Sequence, residues 1–522
     1  MNTRSSPRRN LGTLLAALAL VASTNAAGDA PMPNLPDPAI AEAYAMAARQ
    51  SVLPAVNPGI FPGYWSVCAD GVGHGHGNTF PALDGHQMAD ALLWLGEVET
   101  VRLNWDYVRG FQRPDGQLPF AILPAAAGQE IGPEGCRTAV DPNGGLYRHW
   151  VPDDPLRALG YPTYLQNADA YFRRTGDRAW LEANLESVNA AADFLTSLVT
   201  DAGAVGGAGY YVERPTRVEY DGVTQCHAID AFRRAAALNR VLDGEEAARR
   251  FDALAERVEA HFQTQFWTGT QFAEYIHPER GPIATHGLTD VDWCAIAFGV
   301  ATAEQTAIVW PKLKDEAGFR YGGMPTGIAT HPERYASWEF AYDDRMDLAA
   351  MGRVWYIECQ ARAHMGDAEG LFESLHRVCE EGKKTGYYWR ERYGKDGGFG
   401  VEKYCEYPAN LIRIVQRFLF GVELGLDGGL VLAPCAPASF WEAGFGQTLT
   451  WRGRSITYTF RDDGLEAVYT SADPLTIRAR LGGRGGKLMV DGQEAAYTRD
   501  GAWATLELPG AAEDVSFAFG GL

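Results

Sequence analysis

Residues 167–180 read Asn167-Ala168-Asp169-Ala170-Tyr171-Phe172-Arg173-Arg174-Thr175-Gly176-Asp177-Arg178-Ala179-Trp180. A helix of small and apolar residues runs to Thr175-Gly176-Asp177. A charged, amphipathic helix follows at once, from Arg178 to about Thr200. Working outward, the same pairing recurs. Apolar helices start near Asp84, Pro155, Gly222, Asp290, Arg345 and Cys405, spaced by roughly 55 to 71 residues. Each is preceded by a long loop and followed by a short turn, such as Gly96-Glu97, Asp243-Gly244 or Gly366-Asp367.

Twelve helices alternating in this way predict an inner ring covered by an outer ring. The fold class is therefore mainly α: an (α/α)6 toroid of six helical hairpins over residues 36–426. The long loops gather at one end, and function is expected to follow them. From residue 428 to 522 the pattern changes to short alternating strands between glycine, proline and aspartate turns, which predicts a small C-terminal β-sandwich.

The net charge of −20, from 46 basic and 66 acidic residues, argues against nucleic-acid or anionic-membrane partners. A neutral oligosaccharide or glycoside fits better. Residues 1–27 read as a signal peptide: Arg4, Arg8 and Arg9 precede an apolar run from Leu11 to Ala22 and the small residues Thr24-Asn25-Ala26. Export to a periplasmic or extracellular space is expected, by a secretory signal or, given Arg8-Arg9, a twin-arginine one. That run is too short to span a bilayer, and oligomeric state cannot be read. The eight cysteines are scattered and expected to be mostly buried thiols. His74 and His76 lack further ligands at a metal-like spacing, so neither metal nor cofactor is expected.

Two loops carry the chemistry. The one before the last inner helix runs from Tyr387-Tyr388-Trp389-Arg390-Glu391-Arg392-Tyr393 to Gly397-Gly398-Phe399-Gly400-Val401-Glu402-Lys403-Tyr404-Cys405-Glu406. There Glu402 is the expected base, the competing reading being an ion pair with Lys403 or Arg390, and Glu406 is the alternative. The loop before the sixth helix holds Glu213, Glu219 and Asp221. Glu219 is favoured as acid, and Asp221 serves equally as a helix cap. Helices six and twelve oppose one another in such a ring, so two carboxyl groups can face each other with room for water, as inversion at a sugar carbon requires. Substrate contacts are expected from Asp84, His86, Gln87, Arg113, Asp115, Trp338, Trp389 and Arg390.

Phe111-Gln112-Arg113-Pro114-Asp115-Gly116-Gln117-Leu118-Pro119, the Thr175-Gly176-Asp177 helix end and Val401-Glu402-Lys403-Tyr404 resemble segments of the six-hairpin glycosidases, which include glucoamylases, trehalases and α-L-rhamnosidases. The resemblance implies an inverting hydrolase with its acid before the sixth helix and its base before the twelfth, the loops of Glu219 and Glu402; long loops that close a ring mouth into a pocket favour an exo-acting enzyme. A rhamnosidase-like arrangement would move the acid to the loop ahead of the second helix, where Asp70 and Asp84 stand. A lyase or phosphorylase on the same toroid, or a glycan-binding relative without activity, are the other classes the sequence admits.

Overall fold

The computed structural model describes residues 32–71, 83–119, 121–123, 136–140, 146–150, 157–207, 219–340, 348–484 and 486–520. The signal-like segment, His74, His76 and Glu213 lie outside them. The compact unit Pro33–Leu522 holds everything that follows.

Among the described residues, twelve α-helices form its first part: α1 Pro38–Met46, α2 Leu83–Trp94, α3 Val98–Arg109, α4 Tyr161–Thr175, α5 Arg178–Ser197, α6 Gly222–Val241, α7 Glu245–His261, α8 Asp290–Ala297, α9 Ala303–Leu313, α10 Gly352–Met365, α11 Ala368–Lys384 and α12 Glu406–Ile414. The last turns of α1, α7 and α12 continue as π-helix. Burial separates the two classes. In α7 the buried residues Ala248, Phe251, Leu254, Ala255 and Val258 make one stripe, whereas α6 buries residues all round. The sharp turns between them have a simple cause: Gly176 and Gly366 close α4 and α10 in the left-handed conformation, and Asp177 and Asp367 cap the next helix through their carboxylates.

The even-numbered helices pack in sequence, α2 on α4 and so on to α12, and α12 packs back on α2. The ring is thus closed between segments more than 300 residues apart in sequence. Asp90 of α2 does this. It accepts from Arg413 Nε at 2.8 Å and from both Arg417 Nε and Nη2 at 2.7 Å.

Small strands decorate the loops: β1 Ala121–Leu123, β2 Cys136–Val140 and β3 Leu146–Trp150 in one sheet, then the hairpins β4 Tyr275–His277 with β5 Gly281–Ile283 and β6 Arg392–Gly394 with β7 Gly397–Phe399. After the ring come two larger sheets. One has five strands and includes β8 Val422–Leu424 and β9 Leu430–Leu432; the other has six and begins with β10 Phe445–Trp451. Strands such as Leu475–Arg480 and Arg454–Arg461 bury alternate residues, the period-two pattern of one-sided sheets. β8 belongs to this β-region, so its first strand precedes residue 428. Among the described residues, seven cysteines are buried, and no helix is long and apolar enough to cross a membrane.

Burial opposes ionisation of Asp90, but Arg417 and Arg413 outweigh it and hold the carboxyl well below the usual range. Its folded value lies below its unfolded one, so its stabilisation is present above about pH 4 and fades as pH falls further. Asp90→Asn should cost about 3–5 kcal/mol by stranding Arg413, which is buried, and Arg417, which is partly so, read by urea unfolding at pH 7. A loss below about 1 kcal/mol would show that the ring closes without this contact.

Candidate active site

The loops before the inner helices are joined to one another by backbone hydrogen bonds. Gly222 N–H at the start of α6 donates to Glu274 C=O beside β4, and Asp290 N–H at the start of α8 donates to Ile328 C=O. Gly327 bridges to Ala350, and Ala350 exchanges N–H and C=O with Tyr393 of β6. Ala69 N–H reaches Lys403 C=O, and Cys405 N–H reaches Val67 C=O, which joins the loop of α12 to that of α2. The N-terminal ends of the inner helices therefore carry a stitched collar. The bridge at Ala350 also explains why α10 begins at Gly352 and not near Arg345: the backbone there is committed to its neighbours.

The acidic residues take different stations on this collar. Asp221 is fully buried and caps α6, accepting from the N–H groups of Val223 and Thr224. Glu219 is 18 % exposed at its side chain and is held by Arg157 at 2.7 Å and by Gly207 N–H at 2.6 Å. Glu406 is buried and accepts from the N–H of Arg353 at 2.6 Å, which satisfies a free donor at the start of α10. Glu402 stands 69 % exposed and pairs with Arg390 at 2.7 Å, the competing reading raised from the sequence. Eleven residues earlier stands Glu391, which nothing in the sequence sets apart from its neighbours. It is only 12 % exposed at its side chain, pairs with Arg392, and accepts from Val401 N–H at 3.1 Å. Gly400, at φ 76°, leaves it room, since a Cβ there would sit 2.8 Å from its Oε2.

The expected substrate contacts divide in the same way. Trp338 is 40 % exposed, and Arg280 lies 4.3 Å from its ring centre, so it offers an aromatic face at the rim. Arg113 and Asp115 form a partly exposed turn that packs on α5 at Gly116, where a Cβ would collide with Ala190 C=O. Trp389 is fully buried, donates to Val378 C=O and has no face to offer a sugar. His86 Nδ1 meets Asn167 Oδ1 at 2.8 Å, and Gln87 accepts from Asn410 at 2.5 Å, so both serve seams between inner helices. Burial, with Arg413 nearby, lowers His86 to about 3 and keeps it neutral. Asp84 lies in the first turn of α2.

Sequence reading missed a buried cluster between the loops of α8 and α10. His286 stacks on Tyr335 at 3.6 Å, its Nδ1 lies 2.5 Å from Glu274 Oε2, and its Nε2 lies 3.3 Å from Glu339 Oε2. The hydroxyls of Tyr335 and Tyr275 donate to Glu274 and Glu339 at 2.5 and 2.6 Å. Glu274 and His286 are fully buried, so the cluster is a staple of the collar and not a group that meets solvent. No fixed spacing marks these residues in the sequence.

Comparison with known proteins fits this geometry. The family model for the bacterial alpha-L-rhamnosidase 6 hairpin glycosidase domain matches residues 135–333. The GH78 family rhamnosidase of Bacillus sp. GL1 superposes with a TM-score of 0.60 at 13% identity, covering 83% of this chain and 40% of that one. The fold is that of the six-hairpin glycosidases. The α-L-rhamnosidase from Dictyoglumus thermophilum gives a TM-score of 0.57 at 11% identity, covering 83% and 45%. That from Streptomyces avermitilis, complexed with L-rhamnose, gives 0.51 at 13%, covering 84% and 39%. The chain thus spans less than half the length of these solved rhamnosidases. No curated protein matches it in sequence.

In this six-hairpin ring the collar staple has a pH signature. Burial pushes His286 down, but its bonds to Glu274 and Glu339 prevail and raise it to about 9. The folded value exceeds the unfolded one near 6.5, so its stabilisation is fully present below about pH 6.5 and is lost as pH rises through about 9. Wild-type melting temperature should fall from pH 7 to 9.5, by the equivalent of about 2 kcal/mol, and this slope should flatten in His286→Gln. Equal slopes in the two proteins would remove His286 as its origin.

Proposed function

We propose that this protein is an exported, exo-acting glycoside hydrolase that removes a terminal sugar of the α-L-rhamnose type with inversion. The match of residues 135–333 to a rhamnosidase hairpin domain carries this reading. The closed collar supports it, because it gathers acidic and aromatic side chains from distant loops at one end of the ring. Nothing in the proposed reaction calls for a cofactor: one carboxylic acid protonates the leaving oxygen while a carboxylate opposite draws a proton from water.

For the base we favour Glu391 over Glu402. A carboxylate that aligns one water must be fixed and largely screened from bulk solvent. Glu391 meets both conditions through Arg392, Val401 N–H and the space left by Gly400, whereas the Glu402 carboxylate faces solvent. Glu219 remains our candidate for the acid, partly exposed on the loop of α6, and it must release Arg157 to reach a leaving group. Trp338 supplies the rim platform for the sugar ring or its leaving group.

Glu391→Gln should lower turnover about 10²–10⁴-fold on both aryl and alkyl α-L-rhamnosides, and Glu402→Gln should stay within a few-fold of wild type. Glu219→Gln should lose most on alkyl leaving groups and little on dinitrophenyl ones, which need no protonation. Steady-state kinetics on this substrate pair checks all three. A collapse in Glu402→Gln with Glu391→Gln unaffected would reverse the assignment of the base.

A further inference from the structure

The ring surrounds an open cavity of about 420 Å³ that runs from His86, Gln87 and Arg353 in the first turns of α2 and α10 to the C-terminal turns of the inner helices, with β8 along one side. Seven arginines line it, in a protein whose net charge is −20. Six of them have a carboxylate within 4.0 Å. Asp90 serves Arg413 and Arg417, Asp169 serves Arg173 and Arg234, Glu259 serves Arg233, and Glu406 serves Arg353. The seventh, Arg174, has none among the described residues.

Arg174 is only 9 % exposed, and its Nη1 is buried without a hydrogen-bond partner. Trp94, whose ring it approaches at 5.6 Å, has an indole N–H on the same lining that also lacks an acceptor. Gln166, two turns earlier on α4, leaves its Oε1 unmatched. Burial lowers Arg174 to about 10, so it keeps its charge at neutral pH. Folded proteins rarely leave a buried cation and a buried N–H side by side without acceptors, because each group gives up its bonds to water. Two unmatched donors on one wall of a polar cavity call for an acceptor from outside the chain.

We infer that this axial cavity is a binding site for a compact anionic small molecule, held through an oxyanion group by Arg174 and the Trp94 indole; Asp90, Asp169, Asp230, Glu259, Glu406 and Glu423 balance the other six arginines, which leaves the charge of Arg174 for the ligand. Phosphate, sulfate and the carboxylate of a monosaccharide acid share that chemistry and fit the volume. The site lies at the seam of α2, α4 and α12, so occupancy ties the first hairpins to the last. Arg174 and Trp94 stand at the C-terminal ends of α4 and α2, the ends away from the collar, and occupancy there can be read without any measure of hydrolysis.

Isothermal calorimetry on the full chain, with sodium phosphate, sodium sulfate and sodium glucuronate as probes and chloride as control, tests this. At least one oxyanion should bind saturably at one site with a micromolar to millimolar dissociation constant. Binding should weaken at least tenfold in Arg174→Met and measurably in Trp94→Phe. Preference among the three probes separates an inorganic anion from a sugar acid. In anion-free buffer Arg174→Met should melt at or above the wild-type temperature, since it removes an unmatched cation, whereas an arginine kept for packing alone would make that variant less stable. No binding of any probe to the wild type at 20 mM, or equal binding by Arg174→Met, overturns the inference.

Discussion

One carboxylate holds the two ends of the ring together. Asp90, near the beginning of the fold, is gripped by Arg413 and Arg417 on the last inner helix. The same seam is held by the Asn410–Gln87 bond and by the backbone bonds of Val67 and Ala69 with Cys405 and Lys403, and Asp90 adds its ion pairs to these. A buried charge set of this kind is expensive to desolvate and tolerates little misplacement. It therefore fixes the relation of α2 to α12, and with it the relation of the loops that precede them.

The collar depends on that relation. Val67–Ala69 and Lys403–Cys405 can exchange backbone hydrogen bonds only if the ring has closed, and this junction links the loop holding Glu391 and Glu402 to the one holding Asp70. On the other side of the mouth, Glu274, His286 and Glu339 fasten the loops of α8 and α10 with charge-assisted bonds. Rigid helices set the spacing, and the collar sets the directions of the side chains. Such a division suits the proposed site, in which two carboxyl groups stand apart across a sugar.

Much of the architecture was legible because it is written in local periodicity. The one-sided stripe of α7 and the all-round burial of α6 are visible residue by residue, and Gly176-Asp177 marks a turn by its chemistry. Less was legible where partners are remote. Nothing near Asp90 announces arginines 323 and 327 positions away. The choice between Glu391 and Glu402 turns on exposure in the folded loop, 12 % against 69 % at the side chain, on either side of the β6–β7 hairpin. Both sit among the same aromatics and glycines, so composition could not separate them. The buried triad around His286 escaped notice for the same reason: its members are 12 and 53 residues apart and meet only in the folded collar.

The central claim is that two opposed carboxyl groups at this collar cleave a glycosidic bond with a water between them. The anomer released first from an aryl α-L-rhamnoside, followed by proton NMR before mutarotation, tests it most directly. Inversion predicts that β-L-rhamnose appears first. Initial release of the α anomer, or no release from any aryl glycoside offered, would contradict it.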